Sequence, residues 1–226
     1  MIYFDKVSKV YSPTSVALED IDFEIKPKEF ISIVGQSGAG KSTLLRLLMA
    51  EEKPSEGKVY FDSQDIHLIS KNDLYKMRRR VGTVFQDFRL LPNKTAYENI
   101  AFAMEAAGKT EEEIAYDVPQ VLDLVNLSDK QWHFPNELSG GEIQRIGIAR
   151  AIVNKPDIVI ADEPTGNLDP LNTWEIIQIL KKINELGTTV ILTTHNKGVI
   201  DSLGKRVITL EKGRIVRDDR HGRYII

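Results

Sequence analysis

Nine residues, Gly35-Gln36-Ser37-Gly38-Ala39-Gly40-Lys41-Ser42-Thr43, have the types and order needed to hold a chain of phosphates. Glycines at 35, 38 and 40 let the backbone take positive φ and turn its N–H groups toward phosphate oxygens. Lys41 is placed to reach β- and γ-phosphates, and the Ser42 hydroxyl to ligate Mg²⁺. Further along, the apolar run Asp157-Ile158-Val159-Ile160-Ala161 ends in Asp162-Glu163. Side chains alternate along a strand, so the two carboxylates divide the work. Asp162 can hold the metal's water sphere, and Glu163 can take a proton from an attacking water. Gln86, at the end of Val81-Gly82-Thr83-Val84-Phe85, can offer its amide to a metal or a water near the phosphates. Thr188-Thr189-Val190-Ile191-Leu192-Thr193-Thr194 reads as another buried strand, and His195 at its end can contact a γ-phosphate. Ser139-Gly140-Gly141 opens a helix and forms a second anion seat from free N–H groups and a hydroxyl, although Ser139 also serves as a plain N-cap. Tyr11 can stack on an adenine ring or pack on the core.

Elements must present these groups. The phosphate loop follows Phe30-Ile31-Ser32-Ile33-Val34 and opens into Leu44-Leu45-Arg46-Leu47-Leu48, the strand–loop–helix order that such a loop requires. Residues 2–10 and 21–25 read as strands separated by a turn at Ser12-Pro13-Thr14-Ser15. Pro54-Ser55-Glu56-Gly57 reads as a turn before a short strand, 58–61. The basic run Lys76-Met77-Arg78-Arg79-Arg80 reads as a solvated helix face, with contact to anionic lipid or a partner as the alternative. Helices are expected over 95–107, 111–127, 143–153 and 171–186, the third apolar at 143, 146, 149, 152 and 153. Residues 206–210 and 214–217 form a closing hairpin. His67, His133 and His221 lack a comparable setting and read as structural.

At 226 residues the chain suits one α/β domain, or a core with a smaller subdomain. A net charge of −3 gives no strong pull toward nucleic acid. The absence of cysteine excludes disulfides, thiolate catalysis and cysteine metal sites. Met1-Ile2-Tyr3-Phe4-Asp5-Lys6 does not read as a signal peptide, and no apolar run approaches the ~20 residues that span a bilayer. A role at a membrane would then come through a partner.

Over essentially its full length the chain resembles the ATP-binding subunits of ABC systems, and Leu138-Ser139-Gly140-Gly141-Glu142 is the discriminating motif. The resemblance implies an α/β P-loop NTPase core, a mostly parallel sheet flanked by helices, with an N-terminal antiparallel β subdomain and an α-helical subdomain. It implies one domain over 1–226, with 1–86 and 156–226 as core plus β subdomain and 87–155 as the helical, signature-bearing part. It makes Tyr11 the adenine-stacking aromatic, Gln86 the Q-loop glutamine, Asp162 and Glu163 the acidic pair, Asp169 the D-loop aspartate and His195 the switch histidine. It also implies ATP and Mg²⁺, with Ser42, Gln86 and Asp162 about the metal, and a homodimer that closes on ATP so that Ser139, Gly140 and Gly141 of one copy cover the nucleotide of the other. Ala161-Asp162-Glu163-Pro164-Thr165-Gly166-Asn167-Leu168-Asp169 is similar to the branch holding lipoprotein-release, macrolide-export and FtsE-type cell-division ATPases. Val84-Phe85-Gln86-Asp87-Phe88-Arg89-Leu90-Leu91, Tyr97-Glu98-Asn99-Ile100-Ala101-Phe102-Ala103-Met104 and Phe134-Pro135-Asn136-Glu137 resemble the FtsE type most, and Gly213-Arg214-Ile215-Val216-Arg217-Asp218 agrees. That likeness implies a peripheral place on the cytoplasmic face of the membrane. It also implies an FtsX-like integral membrane partner received at 88–104, where Phe88, Leu90, Leu91, Tyr97, Phe102 and Met104 are candidate groove residues. Glu142 and Ile143 depart from the glutamines common at those places in the family.

Overall fold

The computed structural model describes residues 1–220 and 222, in two compact units. The first unit, Met1–Arg78 and Thr189–Ile226, begins with β1 (Ile2–Ser12), β2 (Ser15–Ile25), β3 (Phe30–Val34), α1 (Lys41–Leu48), β4 (Glu56–Phe61), β5 (Gln64–Asp65) and α2 (Leu74–Arg78). The second, Arg79–Thr188, holds β6 (Val81–Val84), α3 (Ala96–Ala106), α4 (Glu111–Leu124), α5 (Gly140–Ile152), β7 (Ile158–Asp162) and α6 (Pro170–Glu185). The first unit then resumes with β8 (Thr189–Thr193), α7 (Lys197–Leu203), β9 (Arg206–Glu211) and β10 (Arg214–Asp219).

In the first unit β2, β1, β4 and β5 make an antiparallel sheet in that order. A second sheet runs β10-β9-β3-β8, parallel except at β10. Every residue of β3 and of β8 is buried, as expected of parallel strands covered on both faces. Ile33 pairs with Thr193 and Val34 with Thr209, so the phosphate loop and His195 leave the sheet at one edge. In the second unit β6 and β7 are parallel, Val84 opposite Ala161, which sends Gln86 and the Asp162-Glu163 pair off their shared edge.

Three expectations change. β1 continues through Tyr11 and β2 starts at Ser15, not at 21, which leaves only Pro13 and Thr14 between them. The register of this pair shifts repeatedly, with Lys6 and Asp20 at φ +47° and +49°. Such bulges break the period-two pattern that a strand is recognised by. Glu56 and Gly57 belong to β4 rather than to a turn. The basic run is solvated, with Lys76, Arg78, Arg79 and Arg80 all exposed, but it is not one helix face, because α2 ends at Arg78. Arg78 donates to the Met49 and Ala50 carbonyls, Arg79 to the Ala106 carbonyl at 2.7 Å, and Arg80 pairs with Asp157 at 2.6 Å. His221 lies outside the described residues.

Helix starts follow local chemistry. Thr95, Thr110 and Ser139 each cap a helix and form a reciprocal box with Glu98, Glu113 and Glu142. These boxes place the starts of α3 and α4 within a residue of where the sequence puts them, while α4 stops at Leu124, short of 127.

Candidate active site

In the first unit the phosphate loop is fixed by close approach. Gly35, at φ +154°, would push a Cβ to 2.3 Å from the Leu210 carbonyl, and Gly40, at φ +106°, would push one to 2.6 Å from the Ala17 carbonyl. Only glycine fits either place. α1 begins at Lys41, so its first-turn N–H groups have no acceptor in the preceding turn and face the loop. Lys41 Nζ donates to the carbonyls of Gly35 at 2.8 Å and Gln36 at 3.2 Å, which holds the ammonium across the loop. Ala39 N–H donates to Gln36 and the Ala39 carbonyl accepts from Gly213, tying the loop to the β9–β10 turn. Gln36, Ser37, Gly38 and Ser42 are exposed, and Thr43 is half-buried. A lysine, a helix N-terminus and a glycine-shaped backbone converge here, and that donor set fits a polyphosphate. A cavity of about 300 Å³ adjoins the loop from the hairpin side; neither Lys41 nor Ser42 lines it.

Tyr11 is 51 % exposed, which excludes the core-packing alternative. Its hydroxyl donates to Glu52 at 2.6 Å, and the Lys9 ammonium sits 5.0 Å from its ring centre. Tyr11 holds the Glu52 carboxyl below the usual carboxylate range, and Lys9 and Arg46 act in the same direction. His195 follows β8 and is exposed.

The second unit carries the remaining groups. Asp162 ends β7, and Glu163 turns the chain at φ +47°. A Cβ on Gly166 would lie 2.9 Å from Gln86 Nε2 and 3.5 Å from the Glu163 carbonyl, so the glutamine amide rests against the turn that Glu163 begins. Ser139 caps α5; its hydroxyl donates to Glu142 at 2.7 Å and accepts from the Glu142 N–H at 3.3 Å. Those bonds from the Ser139 backbone and hydroxyl lower the Glu142 carboxyl from its ordinary value. Asp169 caps α6 by accepting from Leu171 and Asn172 N–H at 2.9 and 3.0 Å. The Asn172 side chain also bonds Asp169 and lowers its carboxyl. A Cβ on Gly141 would meet the Asn172 Oδ1 at 1.8 Å, and one on Gly140 the Leu168 Cδ2 at 3.6 Å. Ser139-Gly140-Gly141 and Asp169 are thus brought together through Leu168 and Asn172.

Within 88–104 the groove expectation is corrected at Met104, which is fully buried. A helix turns about 100° per residue, so Phe102, two places earlier, points out and is 47 % exposed. Tyr97 packs on Trp132, with ring centres 5.0 Å apart. Sequence reasoning passed over two buried amides, Asn99 and Gln144. Gln144 had a signal: a polar residue on the buried face of α5, one turn before Ile148.

The ABC transporter family profile matches residues 18–166. The chain belongs to the ABC transporter family. Its relatives include the cell division ATP-binding protein FtsE of Bacillus subtilis, 49 % identical over 99 % of this chain and 98 % of that one. The protein of the same name from Streptococcus pneumoniae strain D39 is 52 % identical over 96 % and 95 %. Among solved structures, the ATP-binding cassette MJ0796 in a dimeric post-hydrolysis state bound to ADP and Pi is similar at TM-score 0.87 and 37 % identity, covering 99 % of this chain and 100 % of that one. CbiO1 of Clostridium perfringens is similar at TM-score 0.90 and 31 % identity, covering 97 % and 88 %. This ABC cassette is an ATP-hydrolysing enzyme with an α/β P-loop fold. No helix among the described residues is long and apolar enough to cross a membrane.

Proposed function

We propose that this chain is the ATPase subunit of an FtsE-type complex in bacterial cell division. Closure of two copies on ATP would drive an FtsX-like integral membrane protein that controls peptidoglycan hydrolases. The carrying observation is identity of 48–52 % over nearly the whole length with three proteins named cell division ATP-binding protein FtsE, from different bacteria. The chain would work at the cytoplasmic face of the membrane through that partner.

In this reading Gly35, Gln36, Ser37, Gly38, Ala39, Gly40, Lys41, Ser42 and Thr43 seat the substrate's phosphates, and the outward ring of Tyr11 takes the adenine. Ser42, Gln86 and Asp162 offer a hydroxyl, an amide and a carboxylate, the oxygen donors that suit Mg²⁺. Bound there, Mg²⁺ would neutralise charge on the phosphate oxygens. Glu163 orients water and takes its proton, while Lys41 and His195 face the developing negative charge. Ser139, Gly140 and Gly141 of a second copy offer the N-terminal amides of α5 to the γ-phosphate, and Asp169 lies beside them. Residues 87–155 form the helical subdomain that receives the partner, and 1–86 with 156–226 form the core. Within 88–104, Phe88, Leu90, Leu91, Tyr97 and Phe102 retain exposed surface and line the receiving face.

The test is capture from a bacterial membrane extract with the Glu163→Gln protein in ATP. That variant is expected to bind ATP, hydrolyse it at least 100-fold more slowly and accumulate a closed dimer. Recovery of an FtsX-like protein is the expected result. Recovery of a lipoprotein-release or drug-export permease in its place would overturn the division role and leave the ATPase chemistry standing.

A further inference from the structure

α5 carries Ser139 at its start, and one of its faces runs beside the stretch that contains Gln86. Gln144 is completely buried on that face. Its Nε2 donates to the Pro164 carbonyl at 2.8 Å and to the Phe85 carbonyl at 3.3 Å. Phe85 immediately precedes Gln86, and Pro164 immediately follows Glu163. One amide therefore grips the backbone next to both the glutamine and the glutamate of the reaction. Six residues further along α5, Arg150 donates to the carbonyls of Phe88 at 3.0 Å and Arg89 at 2.6 Å. Phe88 and Arg89 sit at φ +59° and +51°, a left-handed pair that needs support from outside itself. Gly147 lies between these anchors on the same face, its added Cβ 3.8 Å from the Phe88 carbonyl.

The Gln144 Oε1 is buried and has no hydrogen-bond partner. An orphaned acceptor is costly in a dry interior, but a methionine of similar length would in turn leave the Pro164 and Phe85 carbonyls without the N–H groups that Gln144 gives them. The two N–H groups of the amide are what the position uses.

We propose that Gln144 is a positioning residue for ATP hydrolysis. From the signature helix it holds the Phe85 and Pro164 carbonyls together and so sets Gln86 relative to Glu163. The inference rests on the roles given above to Gln86 and Glu163. It also gives α5 a second task, since movement of the helix that presents Ser139 is passed by Gln144 to the hydrolytic residues of the same chain.

The experiment uses full-length Gln144→Met and Gln144→Glu, which keep the length of the side chain and remove its N–H donors. Gln86→Ala and Glu163→Gln serve as references. Outer groups that orient metal or catalytic ligands typically matter roughly 10- to 100-fold. A folded Gln144 variant is therefore expected to lose at least about 10-fold in kcat, with KM for ATP within about twofold. ATP affinity in EDTA, which the phosphate loop of the other unit sets, should not move. Mn²⁺ affinity of the ATP-loaded protein, read by electron paramagnetic resonance, should weaken several-fold, as it does in Gln86→Ala. A kcat within twofold of wild type in either folded variant overturns the proposal. So does a parallel fall of kcat, ATP affinity and Tm, or failure of both variants to fold, since each marks a purely structural role. Normal turnover by Gln86→Ala and Glu163→Gln would instead overturn the roles on which the inference rests.

Discussion

Asn99 offers the sharpest test of how the 88–104 segment is held. Its side chain is completely buried in α3 and folds the preceding loop back on the helix. Oδ1 accepts from Leu91 N–H at 2.8 Å, and Nδ2 donates to the carbonyls of Leu91, Lys94 and Thr95 at 3.1, 2.9 and 3.0 Å. An amide has two N–H donors, so one of those three acceptors shares a proton, and about three full hydrogen bonds are at stake. At about 1 kcal/mol net for each, Asn99→Ala should cost about 3 kcal/mol. For a chain of this size that corresponds to a fall of about 6–12 °C in Tm. Asn99→Asp should cost more, because it retains an acceptor for Leu91 N–H but sets a carboxylate against three carbonyl oxygens. Urea denaturation and a thermal scan measure both effects. ATP binding, seated in the other unit, should persist at temperatures where the variants remain folded. A loss under about 1 kcal/mol for Asn99→Ala would refute the reasoning, because it would mean that water or a neighbour replaces the amide at no cost.

Two further outcomes concern packing and pH. A Cβ on Gly82 would sit 2.2 Å from the Ala151 carbonyl and 3.2 Å from Pro156 Cγ, so Gly82→Ala must shift backbone. About 1–3 kcal/mol of destabilisation is expected, and an unchanged urea midpoint would contradict it. Burial lowers the His67 pKa from its ordinary 6.5, with Lys53 and Lys9 adding to the fall and Asp65 opposing it. The neutral ring is therefore favoured in the fold, and its contribution is full above 6.5 and lost as pH falls through the depressed folded value. His67→Gln should flatten that part of the stability profile between about pH 7.5 and the folded pKa; an unchanged slope would argue against it.

Most of the candidate site was legible in the sequence because it depends on neighbours along the chain. The run from Gly35 to Thr43 needs only its own spacing and the strand and helix on either side. Thr95, Thr110 and Ser139 declare helix starts through a glutamate three residues on. β7 and β8 carry short runs of apolar, mostly β-branched residues, the pattern of parallel strands buried on both faces. What the sequence determined was thus the set of candidate groups and the elements that carry them. The tertiary structure decided matters with distant partners. β2 was half hidden because bulges against β1 break its alternation. Tyr11 turned outward because its hydroxyl finds Glu52, 41 residues away. Gln144 is an ordinary helix residue until folding brings it the carbonyls of Phe85 and Pro164, 59 and 20 residues away. A side chain's type limits what it can bond, but only the packed chain supplies the partner and removes the competing water.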